Sequence, residues 1–247
     1  MSKEKYGVII QARMSSTRLP GKVLMDVEGQ EMLFRQVDRL QHGLGGIPLV
    51  VATSNDKTDD CIESFCTEKG FSCFRGPLDD VMLRFILCAE EFDFDYIIRV
   101  GGDDPLIDPI CCTTLVEMNE CERHDLMYAS NRKGWPYGCA AELISKEALK
   151  SIHNSTNDGY YREHTTPYFY DNPDRFKIMK VSSPLEINRP DYYFTVDFLN
   201  DIELVREVFK LLKSEGNYFS MKQLIDVIDE NPYIRDINAH LHKGFDD

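Results

Sequence analysis

Four short apolar runs, separated by segments of helical periodicity, constrain this chain more than any other feature. YGVIIQ (6–11), PLVVA (48–52), a shorter run at 71–74 and YIIRV (96–100) read as strands, the first of them buried. Between them lie MLFRQVDRLQ (32–41), with apolar residues at helical spacing, a helix over 61–69 and an amphipathic helix over 79–91. TSNDKTDD supplies good N-cap residues ahead of the second helix. A βαβαβαβ order with short connections predicts an α/β fold with a doubly wound, mainly parallel sheet. Its ligand belongs at the carboxyl ends of the strands.

The remainder is less regular. Strands are expected at 125–130, 141–145, 176–181 and 193–196, and helices at 146–153, 161–170, 199–215 and 220–230. No repeat, low-complexity segment or linker interrupts the chain. The reading is a single domain over 1–247 with an excursion at 130–190.

Charge narrows the function. The chain has 28 basic against 42 acidic residues, a formal charge of −14, which disfavours nucleic acid and anionic lipid as partners. No apolar run is long enough for a membrane span, and the polar start has no signal-peptide core, so a cytoplasmic protein is expected. The eight cysteines form no CxxC and read as reduced packing residues. A small anionic substrate remains compatible with this balance if positive charge is concentrated locally.

Such a concentration follows the first strand. ARMSSTRLPGK (12–22) carries Arg13, Arg18 and Lys22 with the hydroxyls of Ser15, Ser16 and Thr17. Small residues after a buried strand, ending in Gly-Lys, suggest a phosphate cradle, and three cations can converge there on a triphosphate. The Walker A pattern fails, because Ser16 stands where its first glycine belongs and Val23 follows Lys22. A solvated basic turn is the competing reading. Beyond the fourth strand comes GGDDP (101–105), where Gly101 and Gly102 permit close backbone approach and Asp103 and Asp104 emerge at the ligand edge. Asp197, in FTVD, is placed to supply a second carboxylate to a Mg²⁺ ion, which favours oxygen ligands.

IIQARMSSTRLPGKVL, FRGPLDDVMLRF, RVGGDDPLIDP, YREHTTPYFYDNPDRFKI and YFTVDFLNDIELV, in that order, resemble the sugar-acid cytidylyltransferases. These include the CMP-KDO and acylneuraminate enzymes and especially the SpsF-like spore-coat polysaccharide biosynthesis branch. The resemblance implies a Mg²⁺-dependent enzyme in which a sugar oxygen attacks the α-phosphate of CTP in line and pyrophosphate leaves. It assigns Mg²⁺ to Asp103 and Asp197, phosphate stabilisation to Arg13, Arg18 and Lys22, and the base and ribose to Ala12 and the 79–84 segment with Arg84. Gly101 falls in the base region. It maps acceptor recognition onto 137–142 and 162–168, where Tyr137, Glu142, Arg162, His164 and Thr165 stand, with Arg189 a further pocket residue. His164 and Glu163 are equally readable as a subunit contact or a capped helix. The resemblance also implies a homodimer through the middle region. Two other readings stand beside it: a glycosyltransferase of similar fold that uses GGDDP on a nucleotide sugar, and a catalytically silent binding partner. Trp135 is a further possible pocket residue, the aromatic run at 160–170 reads as packing or a dimer surface, and His240 and His242 read as a solvated tail.

Overall fold

The apolar runs pair as their burial requires. The structure, a computed structural model, describes residues 4–212 and 218–242. Strand β1 (Tyr6–Gln11) leads through the basic loop to a small hairpin, β2 (Asp26–Val27) and β3 (Gln30–Glu31). Then come α1 (Met32–Gly43), β4 (Leu49–Ser54), α2 (Asp60–Lys69), β5 (Cys73–Gly76), α3 (Val81–Glu91) and β6 (Tyr96–Gly101). The second half comprises α4 (Pro109–Cys121), β7 (Leu126–Ala129), β8 (Glu142–Ser145), α5 (Lys146–Ser155), α6 (Gly159–His164), α7 (Pro167–Asp171), β9 (Ile178–Val181), α8 (Leu199–Leu212), α9 (Met221–Glu230) and α10 (Pro232–Asp236).

Seven strands form one sheet in the order β5-β4-β1-β6-β8-β7-β9. The first four are parallel, β8 runs antiparallel to both β6 and β7, and β9 is parallel to β7. Alternate residues of β1 serve opposite cores. Val8 and Ile10 pack under α1, α4, α8 and α9, while Ile9 packs under α3 and α5. This two-sided burial is why the strand reads as a continuous apolar run. The chain steps from β1 to β4 to β5 on one side and then returns to set β6 on the other. That reversal makes a topological switch point between β1 and β6, where the loops after the two strands diverge.

Several local expectations change. Helix α4 replaces a stretch with no assigned element. It starts on the Asp108 side chain, which accepts from Ile110 N at 2.9 Å, and on Pro109 in the first turn. The short third run shifts to β5. Residues 193–196 join no sheet strand, because their hydrogen bonds divide between two loops: Phe194 N donates to Tyr137 O and Val196 N to Asp103 O, each at 2.8 Å. The last residues of the helix expected over 199–215 lie outside the described residues. Two strands from the 130–190 segment, β8 and β9, join the main sheet. Trp135 is fully buried and donates to Val181 O at 3.0 Å.

The helix expected over 161–170 is broken in two by Thr165, at φ 68° and ψ −58°. Thr166 N donates to His164 O at 2.8 Å, which makes a γ-turn of the strained, positive-φ kind at a β-branched residue. The Thr165 hydroxyl is buried without a hydrogen-bond partner among the described residues. Thr165→Gly therefore leaves stability unchanged or raises it by up to about 1 kcal/mol, whereas glycine in a helix interior costs about 1 kcal/mol. Urea unfolding measures this, and a clear loss of stability would contradict the strained turn.

Candidate active site

The loop after β1 is pinned from three directions. Ala12 N donates to Ala52 O at 3.1 Å and Gly21 N to Met14 O at 2.9 Å. Met14 N donates to the buried Asp59 carboxylate at 2.8 Å, which also receives Ser54 N at 3.2 Å. Leu19 and Val23 are buried in the core. Ser15, Thr17 and Arg18 are left facing outward, while Ser16 is half-buried and its hydroxyl accepts from Leu19 N at 3.4 Å.

Lys22 turns inward. Its side chain is 7% exposed. Its ammonium donates to Asp103 Oδ2 at 2.8 Å, Val196 O at 2.6 Å and Asp197 Oδ1 at 3.1 Å. Arg18 reaches the same Asp197 oxygen at 2.8 Å. Two cations from the first loop thus meet two carboxylates from two other segments, at the strand switch point. Arg13 stands apart from this cluster, 3.7 Å from Glu163 on α6.

The acidic loop depends on its glycines. A Cβ on Gly101 would lie 2.5 Å from Asp103 Oδ1 and 2.8 Å from Asp104 Oδ2, and one on Gly102 would lie 2.7 Å from Gln11 O. Gln36 of α1, fully buried, clamps the loop by donating to Gly101 O at 2.6 Å and Asp104 O at 3.0 Å. Behind Asp197, the buried Asp201 accepts Asp197 N at 2.9 Å and Phe198 N at 2.8 Å on one oxygen. Its other oxygen accepts Asn238 Nδ2 at 2.9 Å and faces His242 Nε2 at 2.7 Å. His242 also stacks on Tyr193, so it is packed into the site's support and is no solvated tail residue. Gln36, Asp59 and Asp201 are supports that sequence reasoning missed. Gln36 carried a signal, a polar residue inside the apolar stripe of a helix.

A cavity of about 1020 Å³ opens from this cluster across the sheet. Of the expected acceptor residues, Tyr137, Glu142 and His164 line it, and Arg162, Thr165 and Arg189 do not. Arg162 is held by Asp80 Oδ2 at 2.7 Å and His153 O at 2.8 Å, Thr165 is buried, and Arg189 pairs with Asp229 at 2.6 Å. Arg84 also misses the cavity. It is buried and donates to Pro77 O and Leu78 O, so it shapes the segment before α3, and burial pushes its pKa down. Gly101, Asp103, Asp104 and Asp197 line the cavity beside Arg18. Among the described residues no group of three or more His, Cys, Asp or Glu is arranged to hold a metal. Asp103 and Asp197 nevertheless aim one oxygen each at a shared cation, the Lys22 ammonium. Two carboxylates fit Mg²⁺, which takes its remaining oxygens from phosphates and water.

A switch-point site with basic and acidic loops meeting over a large cavity is suited to a nucleotide, and the family match makes the protein a nucleotidyltransferase. Residues 7–230 match the model of the cytidylyltransferase family, and the chain belongs to that family. It is 31% identical to the spore coat polysaccharide biosynthesis protein SpsF of Bacillus subtilis, over 91% of this chain and 94% of that one. It is 28% identical to the 8-amino-3,8-dideoxy-manno-octulosonate cytidylyltransferase of Shewanella halifaxensis over 68% of each chain. Among solved structures, a cytidylyltransferase from Leptospira borgpetersenii aligns with a TM-score of 0.88 at 29% identity, covering 94% of this chain and 97% of that one.

Two predictions test the supports. Asp201→Ala leaves several buried donors unmatched and should lower unfolding stability in urea by about 3 kcal/mol, and a loss below about 1 kcal/mol would contradict the network. Burial first, and then the Asp103 carboxylate, push Asp104 well above the usual carboxylate range. An acid raised in the folded state contributes stability that is complete below its unfolded pKa and lost as pH rises through its folded pKa. Asp104→Asn escapes that loss and keeps an oxygen for Thr195, which donates to Asp104 Oδ1 at 2.7 Å. It should melt higher than wild type at about pH 7 and converge with it toward about pH 4. Equal melting at neutral pH would contradict the raised value.

Proposed function

We propose that this protein is a Mg²⁺-dependent cytidylyltransferase that couples CTP to a sugar acid or related small acid, for surface polysaccharide or glycan assembly. The observation that carries the reading is the meeting of Lys22 and Arg18 with Asp103 and Asp197 at the β1–β6 switch point. Membership of the family supports nucleotidyl transfer. The Shewanella relative, a cytidylyltransferase of a sugar acid, supports an acid acceptor, and the Bacillus relative, a polysaccharide biosynthesis protein, supports a role in polysaccharide assembly.

In this reading an acceptor oxygen forms the bond to the α-phosphorus while the bond from that phosphorus to the β-bridging oxygen breaks. Pyrophosphate departs with the electron pair, and the proton of the attacking hydroxyl passes to water. Arg18 and Lys22 hold positive charge at the phosphates, where the transition state gathers negative charge, and Arg13 extends the field along the loop. Asp103 and Asp197 would hold the Mg²⁺, whose contribution when bound is to neutralise phosphate charge and favour the attacking oxygen as its alkoxide. The Gly101–Gly102 backbone lets the nucleotide approach closely.

The test is thermal stabilisation by CTP, UTP, GTP, ATP and dTTP, each with and without Mg²⁺, on wild type and Asp103→Asn, followed by pyrophosphate release. A ligand at a hundred times its Kd adds about 2.7 kcal/mol, a readily measured melting shift. Selective stabilisation by CTP with Mg²⁺, lost in the variant, is the expected result. Selectivity for another base overturns the cytidylyl assignment, and no response to any triphosphate overturns the transferase.

A further inference from the structure

Four adjacent strands present one continuous row of side chains along the cavity. Arg99 of β6 pairs in register with Glu142 of β8, Glu142 with Tyr128 of β7, and Tyr128 with Lys180 of β9. All four line the cavity, as does Arg132 from the turn after β7. The row starts two residues before Gly101, next to the acidic loop. At about 4.8 Å per strand spacing, it extends about 14 Å from there to Lys180.

The charges along the row are unequal in their commitments. The cavity is lined by four arginines and lysines, Arg18, Arg99, Arg132 and Lys180. Arg18 is spent on Asp197 and Arg99 on Glu142, the latter at 2.6 Å. Neither Arg132 nor Lys180 forms an ion pair among the described residues, and Lys180 lies 5.6 Å over the Tyr128 ring. Glu142 also accepts from Tyr170 at 3.3 Å, so the middle of the row is close to neutral and rich in hydrogen-bonding groups. In a chain of net charge −14, two cations facing one cavity with no ion pair among the described residues mark a place for an anion.

We infer that this row is the acceptor floor, and that Arg132 and Lys180 bind an acid group which the acceptor carries at the end remote from its attacking oxygen. The inference rests on the transferase reading and narrows its substrate. The attacking oxygen must lie near Asp103, Asp197 and the loop cations. An anion held by Arg132 and Lys180 is then separated from it by most of the acceptor. Hydroxyls between the two ends meet Glu142 and Tyr170. The class selected is a sugar acid with a second, terminal anion, such as a phosphate ester.

Two probe pairs test this: 3-deoxy-manno-octulosonate and N-acetylneuraminate, each with and without a phosphate on its terminal hydroxyl. Binding is measured by calorimetry to the protein saturated with CTP and Ca²⁺ in place of Mg²⁺, on wild type, Arg132→Ala and the Arg132→Ala/Lys180→Ala double variant. Both residues are exposed, so the variants should fold, and unchanged melting with CTP verifies that the nucleotide half is intact. The expected result is a preference for the phosphorylated member of about tenfold or more in wild type, reduced in the single variant and abolished in the double variant. Equal binding within both pairs, binding of neither member, or a preference that survives in the double variant overturns the inference. Loss of CTP binding by wild type would instead overturn the transferase reading beneath it.

Discussion

The Lys22 ammonium is the contact on which the rest of this site depends. A buried cation is tolerated only when its donors are matched, since leaving one unpaired costs several kcal/mol. Here Asp103, Val196 and Asp197 match them. Asp103 lies 81 positions from Lys22 and Asp197 lies 175 positions from it. One side chain therefore ties together the loop after β1, the loop after β6 and the segment before α8. Val196 N closes the same junction by donating to Asp103 O at 2.8 Å.

The scaffold around that contact supplies rigidity from beneath. Gln36 and Arg39, both fully buried on α1, hold the carbonyls of the acidic loop and of the chain beyond it. Gln36 binds Gly101 and Asp104, and Arg39 binds Leu106 and Ile107. Asp59 fixes the basic loop at Met14, and Asp201 fixes the backbone at Asp197. Each support is a polar group placed in the core with its hydrogen bonds largely met, the condition under which buried polar networks rigidify a site. The result is a protein of strongly negative net charge that brings Arg18 and Lys22 together at the switch point.

The meeting of the basic and acidic loops was legible in the sequence because both follow strands directly, whereas Arg84, expected beside them, is buried on the carbonyls of Pro77 and Leu78. YGVIIQ and YIIRV announce β1 and β6 by continuous apolar character, and the charged loops follow at once. The lining of the cavity was not legible in that way. Arg162 and Arg189 looked available, yet Arg162 ties α6 to Asp80 and Arg189 pairs with Asp229. The row Arg99–Glu142–Tyr128–Lys180 exists only through the register of four strands, two of them antiparallel neighbours inserted out of chain order. Helix α4 escaped notice because cysteines, Leu115 and Asn119 make up most of its buried face. The break at Thr165 sets a β-branched residue at positive φ, against local preference, so tertiary packing decides it. Even so, the break sits beside His164, at the cavity.

Anomalous diffraction from crystals grown with CTP and Mn²⁺ probes the carboxylate pair itself. The expected result is a manganese peak in contact with both Asp103 and Asp197, with the triphosphate lying next to Arg18 on the side of Lys22. A peak bound elsewhere, or a triphosphate that lies away from Lys22 and Arg18, would contradict it.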